Sequence, residues 1–148
     1  MQSDFRQAFE SNIEQLNPIF DEIIAMQDFD LANQELKLRR ALFILRGLFA
    51  GAQLHKNFVL LFDWFYPQYF AVVTKCLSMQ NNEEVLILAL KFLHELANNS
   101  SSRLKFDTWS TNSLIIYKET SNCLISFMSE FFTPSRPVQD FYKSDLRF

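Results

Sequence analysis

Apolar residues along this chain recur at intervals of three and four, the spacing that lines one face of an α-helix. Phe5, Phe9, Ile13 and Leu16 place a first helix over about residues 4–16. Asn17-Pro18 then punctuates the pattern. Asparagine caps, and proline suits a first helical turn where its missing N–H is not needed, so a second short helix is expected from Pro18 to Gln27. The acidic Asp28-Phe29-Asp30 reads as a connector. Asn33 is the expected cap of a third helix from about Gln34 to Ala52, with Leu38, Leu42, Leu45 and Phe49 buried and Lys37 and Arg40 facing outward.

A fourth element runs from about Lys56 to Leu77 and is interrupted at Tyr66-Pro67. Pro67 removes a backbone donor and clashes with the preceding turn, so the helix must kink or restart there. Trp64, Phe65, Tyr66 and Tyr69 are expected to pack into that bend. Asn81-Asn82-Glu83-Glu84 marks a helix start, a capping amide followed by acids that suit the positive end of the helix dipole. On this fifth helix Glu84, Lys91, Glu95 and Asn98 share a polar stripe, and Leu86, Leu90, Leu93 and Ala97 oppose it. Ile87 and Leu88 widen the apolar coverage, which predicts neighbours on more than one side. After a polar loop, Asn99 to Asn112, a sixth helix is expected from Ser113 to Phe132.

Composition agrees with helices. Two Gly and four Pro in 148 residues are too few for a turn-rich β fold. A chain of this length, 49% hydrophobic and 21% charged, can bury roughly 68–70% of its unfolded surface. Its seventeen Phe must be packed against other elements or await neighbours that cover them. A net charge of −3 argues against nucleic acid, which demands clustered Lys and Arg. The densest basic cluster, Lys37, Arg39 and Arg40, is either a solvated helix face or a docking patch for an acidic partner. The longest apolar run, Phe58 to Val73, holds Asp63 and Pro67 and falls short of the ~20 residues a bilayer span needs, so no membrane insertion is expected. Gly47 and Gly51, four apart, are expected to let two helices approach closely.

No enzyme chemistry emerges. His55 and His94 are the only histidines, and His94 sits on an otherwise packed helix. Asp28/Asp30 and Glu83/Glu84 are neighbours in a connector and a helix cap, with nothing to set them across a cleft. Phosphate loop, nucleophile elbow and metal spacing are all missing, so no catalytic, cofactor or metal residue is assigned. Cys76 and Cys123, far apart and without a CxxC, read as buried thiols of a reducing compartment. Asn98-Asn99-Ser100 and Asn99-Ser100-Ser101 match the glycosylation acceptor pattern, but Met1-Gln2-Ser3-Asp4 begins no secretory signal and they are taken as unused.

Two tracts carry a family resemblance: Leu60-Leu61-Phe62-Asp63-Trp64-Phe65-Tyr66-Pro67-Gln68-Tyr69, and the run from Leu93-His94-Glu95-Leu96 through Arg103-Leu104-Lys105-Phe106-Asp107 to Tyr117-Lys118-Glu119-Thr120-Ser121. Their order and spacing resemble an interior stretch of a Ran-binding exportin, a nuclear transport receptor of the importin-β superfamily. The match is best from Arg46 to Ser121, and Ser113 stands where the family is expected to carry glycine after Asn112. The resemblance implies an all-α, HEAT-type helical-repeat solenoid over residues 1–132, with an irregular tail over 133–148. The helix pairs Gln34–Leu77 and Glu83–Phe132 fall near the HEAT period of roughly 40–47 residues. A complete receptor is several times longer, so the chain is expected to be a fragment or truncated product.

Further implied are nuclear export of protein cargo dependent on Ran-GTP, residence in nucleus, cytoplasm and nuclear pore complex, and Ran-GTP, cargo and nucleoporins as partners. No cofactor is implied, since GTP belongs to Ran. The alternative is a stand-alone helical scaffold or adaptor without transport activity. The loop Asn98 to Asn112 supplies the interaction candidates: Arg103, Lys105 and Asp107 beside Trp109 combine charge with an aromatic anchor of the kind enriched at interfaces. A second reading stays open, in which Leu104, Phe106 and Trp109 tuck the loop onto the stack and Asp107 satisfies backbone donors.

Overall fold

Burying apolar stripes of period 3.6 requires helices laid against one another, and the computed structural model has that form. It describes residues 2–27, 33–79 and 81–132, with side chains from Arg6 onward. These form six helices and no strand: α1 (Gln2–Ala25), α2 (Glu35–Gly51), α3 (His55–Phe65), α4 (Phe70–Ser78), α5 (Glu83–Ala97) and α6 (Asn112–Phe131). The expected connector at Asp28–Asp30 and tail at 133–148 lie outside the described residues, as does the side chain of Phe5.

The helices stack in two layers. In one, α2 lies along α5, the most extensive helix pairing among the described residues. In the other, α1 packs on α4 and α4 on α6. Between layers α1 meets α2, α2 meets α3, α4 meets α5, and α5 meets α6. With the bent pair α3–α4 counted as one element, successive elements cross between layers, which is the HEAT-type arrangement. The two layers meet at Phe49, whose ring stands edge-on to Phe58, Phe65 and Phe92 at centroid distances of 5.6, 5.4 and 5.5 Å.

Several expectations from sequence change here. Asn17-Pro18 does not divide α1, which runs unbroken through Pro18. Proline's ring is exposed there, and the lost hydrogen bond is offset by burial of Ile13 before it and Phe20 and Ile23 after it. Asn17 is no cap; its Oδ1 accepts a hydrogen bond from Trp64 Nε1 at 2.8 Å. Nor does Asn33 cap α2, whose N-cap is Gln34 with no side-chain cap bond. Glu35 in the first turn places negative charge at that helix start and is held by Arg39 at 3.4 Å. On α5 the apolar face is Val85, Leu86, Ala89, Phe92, Leu93 and Leu96, while Ala97 is exposed. Gly47 and Gly51 mark no close approach. A Cβ built on either meets nothing within 4 Å, and both face a cavity of about 200 Å³ shared with Ala8, Phe9, Asn12 and Ile13 of α1.

Other local expectations hold. α3 ends at Phe65 and α4 restarts at Phe70, with a turn between them that contains a cis Tyr66-Pro67 bond. The bend is tied to both sides of its layer: Trp64 to Asn17 and Gln68 to Asp21 of α1, and Tyr66 Oη to Glu119 of α6 at 3.1 Å. Phe65 and Tyr69 are buried, whereas Trp64 is only half-buried against Phe20 and Tyr69. Asn82 caps α5, its side chain accepting from the Val85 N–H at 3.1 Å.

Candidate protein-interaction surface

Helix C-termini leave carbonyl groups unpaired and carry partial negative charge. The C-termini of α2 and α5 converge beneath the loop 98–111, and Arg103 fills the space between them. Its Nε donates to Asn98 O at 3.0 Å, one terminal nitrogen to Phe49 O and to Ala52 O at 3.5 Å, and the other to Glu95 O and to Glu95 Oε1 at 3.2 Å. The guanidinium also lies over the Phe58 ring, 4.8 Å from its centroid. The side chain is 1% exposed. Burial pulls its pKa down and the Glu95 carboxylate opposes that shift. Arg103 is thus a clamp joining two helices of one layer, with no surface to offer a partner.

The rest of the loop is shaped by short polar bridges. Asn99 bonds Leu104 twice, its Oδ1 accepting from the Leu104 N–H at 2.7 Å and its Nδ2 donating to Leu104 O at 3.2 Å. His55 Nδ1 lies 2.7 Å from Arg103 O, so this histidine holds the loop base. Ser102 adopts a φ of 55°, a left-handed conformation that serine rarely takes, at the turn into the buried arginine. Asp107 Oδ1 accepts from the N–H groups of Trp109 at 3.1 Å and Ser110 at 2.9 Å. That turn aims Trp109 outward.

The four candidate residues therefore divide. Arg103 goes inside; Lys105, Asp107 and Trp109 stay outside, Trp109 being 95% exposed. Leu104 tucks under the loop, but Phe106, which the second reading of the loop also tucked onto the stack, does not: it is 64% exposed and joins the outer set. No local signal distinguishes Leu104 from Phe106, because the selection is made by where the Asn99 and Asp107 bridges turn the chain.

Among the described residues no group of three His, Cys, Asp or Glu side chains is placed to hold a metal ion. His94 is exposed, and Glu84 is engaged by Arg39 at 2.6 Å. Both cysteines are free and buried; burial pushes the Cys76 thiol up to about 12, and burial with the nearby Glu119 carboxylate pushes Cys123 up to about 11. No helix among the described residues is long and apolar enough to cross a membrane.

Known proteins were compared with the chain in sequence and structure. No family model matches, and no solved structure matches. Curated sequences do. Exportin-7 of Dictyostelium discoideum is 33% identical over 104 residues, 70% of this chain and 10% of that protein. Exportin-7-B of Xenopus laevis is 30% identical over 90 residues, 60% of this chain and 8% of that protein. Ran-binding protein 17 of Mus musculus is 32% identical over 84 residues, 56% of this chain and 8% of that protein. The chain is a relative of exportin-7 and Ran-binding protein 17, spanning about a tenth or less of the length of these proteins.

Proposed function

We propose that the chain is a HEAT-repeat segment of a nuclear export receptor of the importin-β type, in which protein cargo is carried through nuclear pores in dependence on Ran-GTP. The observation that carries this reading is the similarity to exportin-7 over 70% of the chain. The receptor works by linkage and not by chemistry: Ran-GTP and cargo favour the same curvature of the stack, so binding of one strengthens the other. Such a protein resides in nucleus and cytoplasm and passes the pore by touching nucleoporins. Within this segment Lys105, Phe106, Asp107 and Trp109 form the contact surface, an aromatic pair on a loop whose base is locked by Arg103.

The segment alone presents too little surface to hold Ran. A stable interface needs about 800 Å² from each partner, gathered in such receptors from several repeats. Calorimetry with the 148-residue chain is expected to give weak or undetectable binding to Ran-GTP and none to Ran-GDP. The decisive experiment replaces the matched stretch of Dictyostelium exportin-7 with this chain. The chimera is expected to retain Ran-GTP binding and cargo release on GTP hydrolysis. A soluble, helical chimera that binds Ran in neither nucleotide state would favour a scaffold without transport activity.

A further inference from the structure

The α2–α5 layer has an outer face that the loop and the transport reading leave unused. On α2, Leu36, Arg40 and Phe43 follow at spacings of four and three, opposite the buried Leu38, Leu42 and Leu45. Leu36 and Phe43 are 60% and 66% exposed. Ile87 and Leu88 of α5 lie beside them, half-buried on the core. With Arg39, Arg40 and Glu84 these residues enclose an open groove of about 420 Å³, within the range of roughly 300–1,000 Å³ usual for ligand sites.

Charge selects what the groove accepts. Arg39 is held by Glu35 and by Glu84, the latter at 2.6 Å across the two helices. Arg40 is exposed at the same rim, and no carboxylate among the described residues pairs with it. An apolar floor beside one unpaired guanidinium suits a ligand with spaced apolar side chains and a carboxylate placed to reach Arg40. We propose that the α2–α5 groove docks an acidic amphipathic segment of a partner protein, seating its apolar side chains between Leu36 and Phe43 over Ile87 and Leu88 and pairing a carboxylate with Arg40. This rests on the groove alone and does not depend on Ran or on export.

The test uses the full chain and a fluorescein-labelled peptide of about fourteen residues, with leucines at helical spacings of four and three and glutamates between them. Anisotropy is expected to report saturable binding in the micromolar range, weakening as salt is raised. Arg40→Glu and Phe43→Ser should each lower affinity at least about tenfold, Arg40→Gln less, and a peptide with lysine in place of glutamate should not bind. Ile125→Ser, at an exposed position of α6, should leave binding unchanged. Leu36, Arg40 and Phe43 are all exposed, so far-UV circular dichroism of the variants should match the parent. Equal binding of acidic and basic peptides, or indifference to Arg40→Glu, overturns the proposal. So does a dimer in sedimentation equilibrium that Phe43→Ser dissolves, because the occupant is then a second copy of the chain.

Discussion

Arg103 and Trp109 stand six residues apart in one polar loop, and to sequence reasoning they looked like parts of one surface. In the structure they have opposite fates. Arg103 is enclosed by the carbonyl ends of two helices, Trp109 projects almost wholly into solvent. The residue that looks suited to solvent is buried because unpaired carbonyls need a donor, and arginine supplies five N–H groups in a planar fork. The residue that looks suited to a core is outside because Asp107 spends its carboxylate on the turn that presents it. Polarity alone does not tell a clamp from a contact surface; the deciding question is whether partners of the opposite kind wait nearby.

This contrast is sharpest in stability. Arg103→Ala leaves buried carbonyls of α2 and α5 and the Glu95 carboxylate without their donor, and is expected to cost about 3–5 kcal/mol, as breaking a buried ion pair does. Urea titration followed by circular dichroism reads it, and a loss under about 1 kcal/mol would dissolve the distinction between the two loop halves. Arg103→Lys should recover only part, since an ammonium cannot span both helix ends.

Trp64 provides an intermediate case. Its ring is half-buried at the bend and its Nε1 bonds Asn17, so Trp64→Ala should destabilise by about 2–3 kcal/mol, below the ~3–5 of a fully enclosed aromatic. Tryptophan fluorescence separates the two sites directly: Trp64 in a Trp109→Phe variant should emit further to the blue and resist acrylamide quenching better than Trp109 in the converse variant.

The buried thiols give a smaller effect with a defined sign. Cys76 ionises at about 12 in the folded chain against 9.0 for a free thiol. Its folded pKa is raised, so its contribution is intact below pH 9 and is lost as pH climbs from there towards 12. By pH 10 the fully buried Cys76 should have removed about 1–2 kcal/mol, a loss that Cys76→Ser abolishes in urea titrations run across that window. Both native thiols should also resist a disulfide reagent at pH 8 until the chain unfolds. Smallest of all, Trp109→Ala should change stability by no more than about 0.5 kcal/mol. A loss comparable with that at Trp64 would restore the reading in which the loop tucks onto the stack.

Features that act within a few residues were legible in advance. Pro67 ended α3 where its missing donor and clash required, Asn82 capped α5, and the stripe Leu38, Leu42, Leu45, Phe49 turned inward as its spacing dictates. The aromatic tract around Trp64 and Pro67, which carried the family resemblance, builds the bend that ties α1 and α6 together.

Other features depended on partners far along the chain, and these only the tertiary structure decided. Pro18 sits inside a helix because Phe20 and Ile23 are packed beyond it, a burial that neither neighbour in sequence reveals. Gly47 and Gly51 face open space because the path of α1 sets the gap beside them. Arg103 is a clamp because the last turn of α2 at Phe49, 54 residues earlier, and that of α5 at Glu95 come to the same place. Local backbone chemistry sets where helices begin and stop, whereas which side chains are enclosed depends on how the layers meet, and a pattern of period 3.6 carries no information about that meeting.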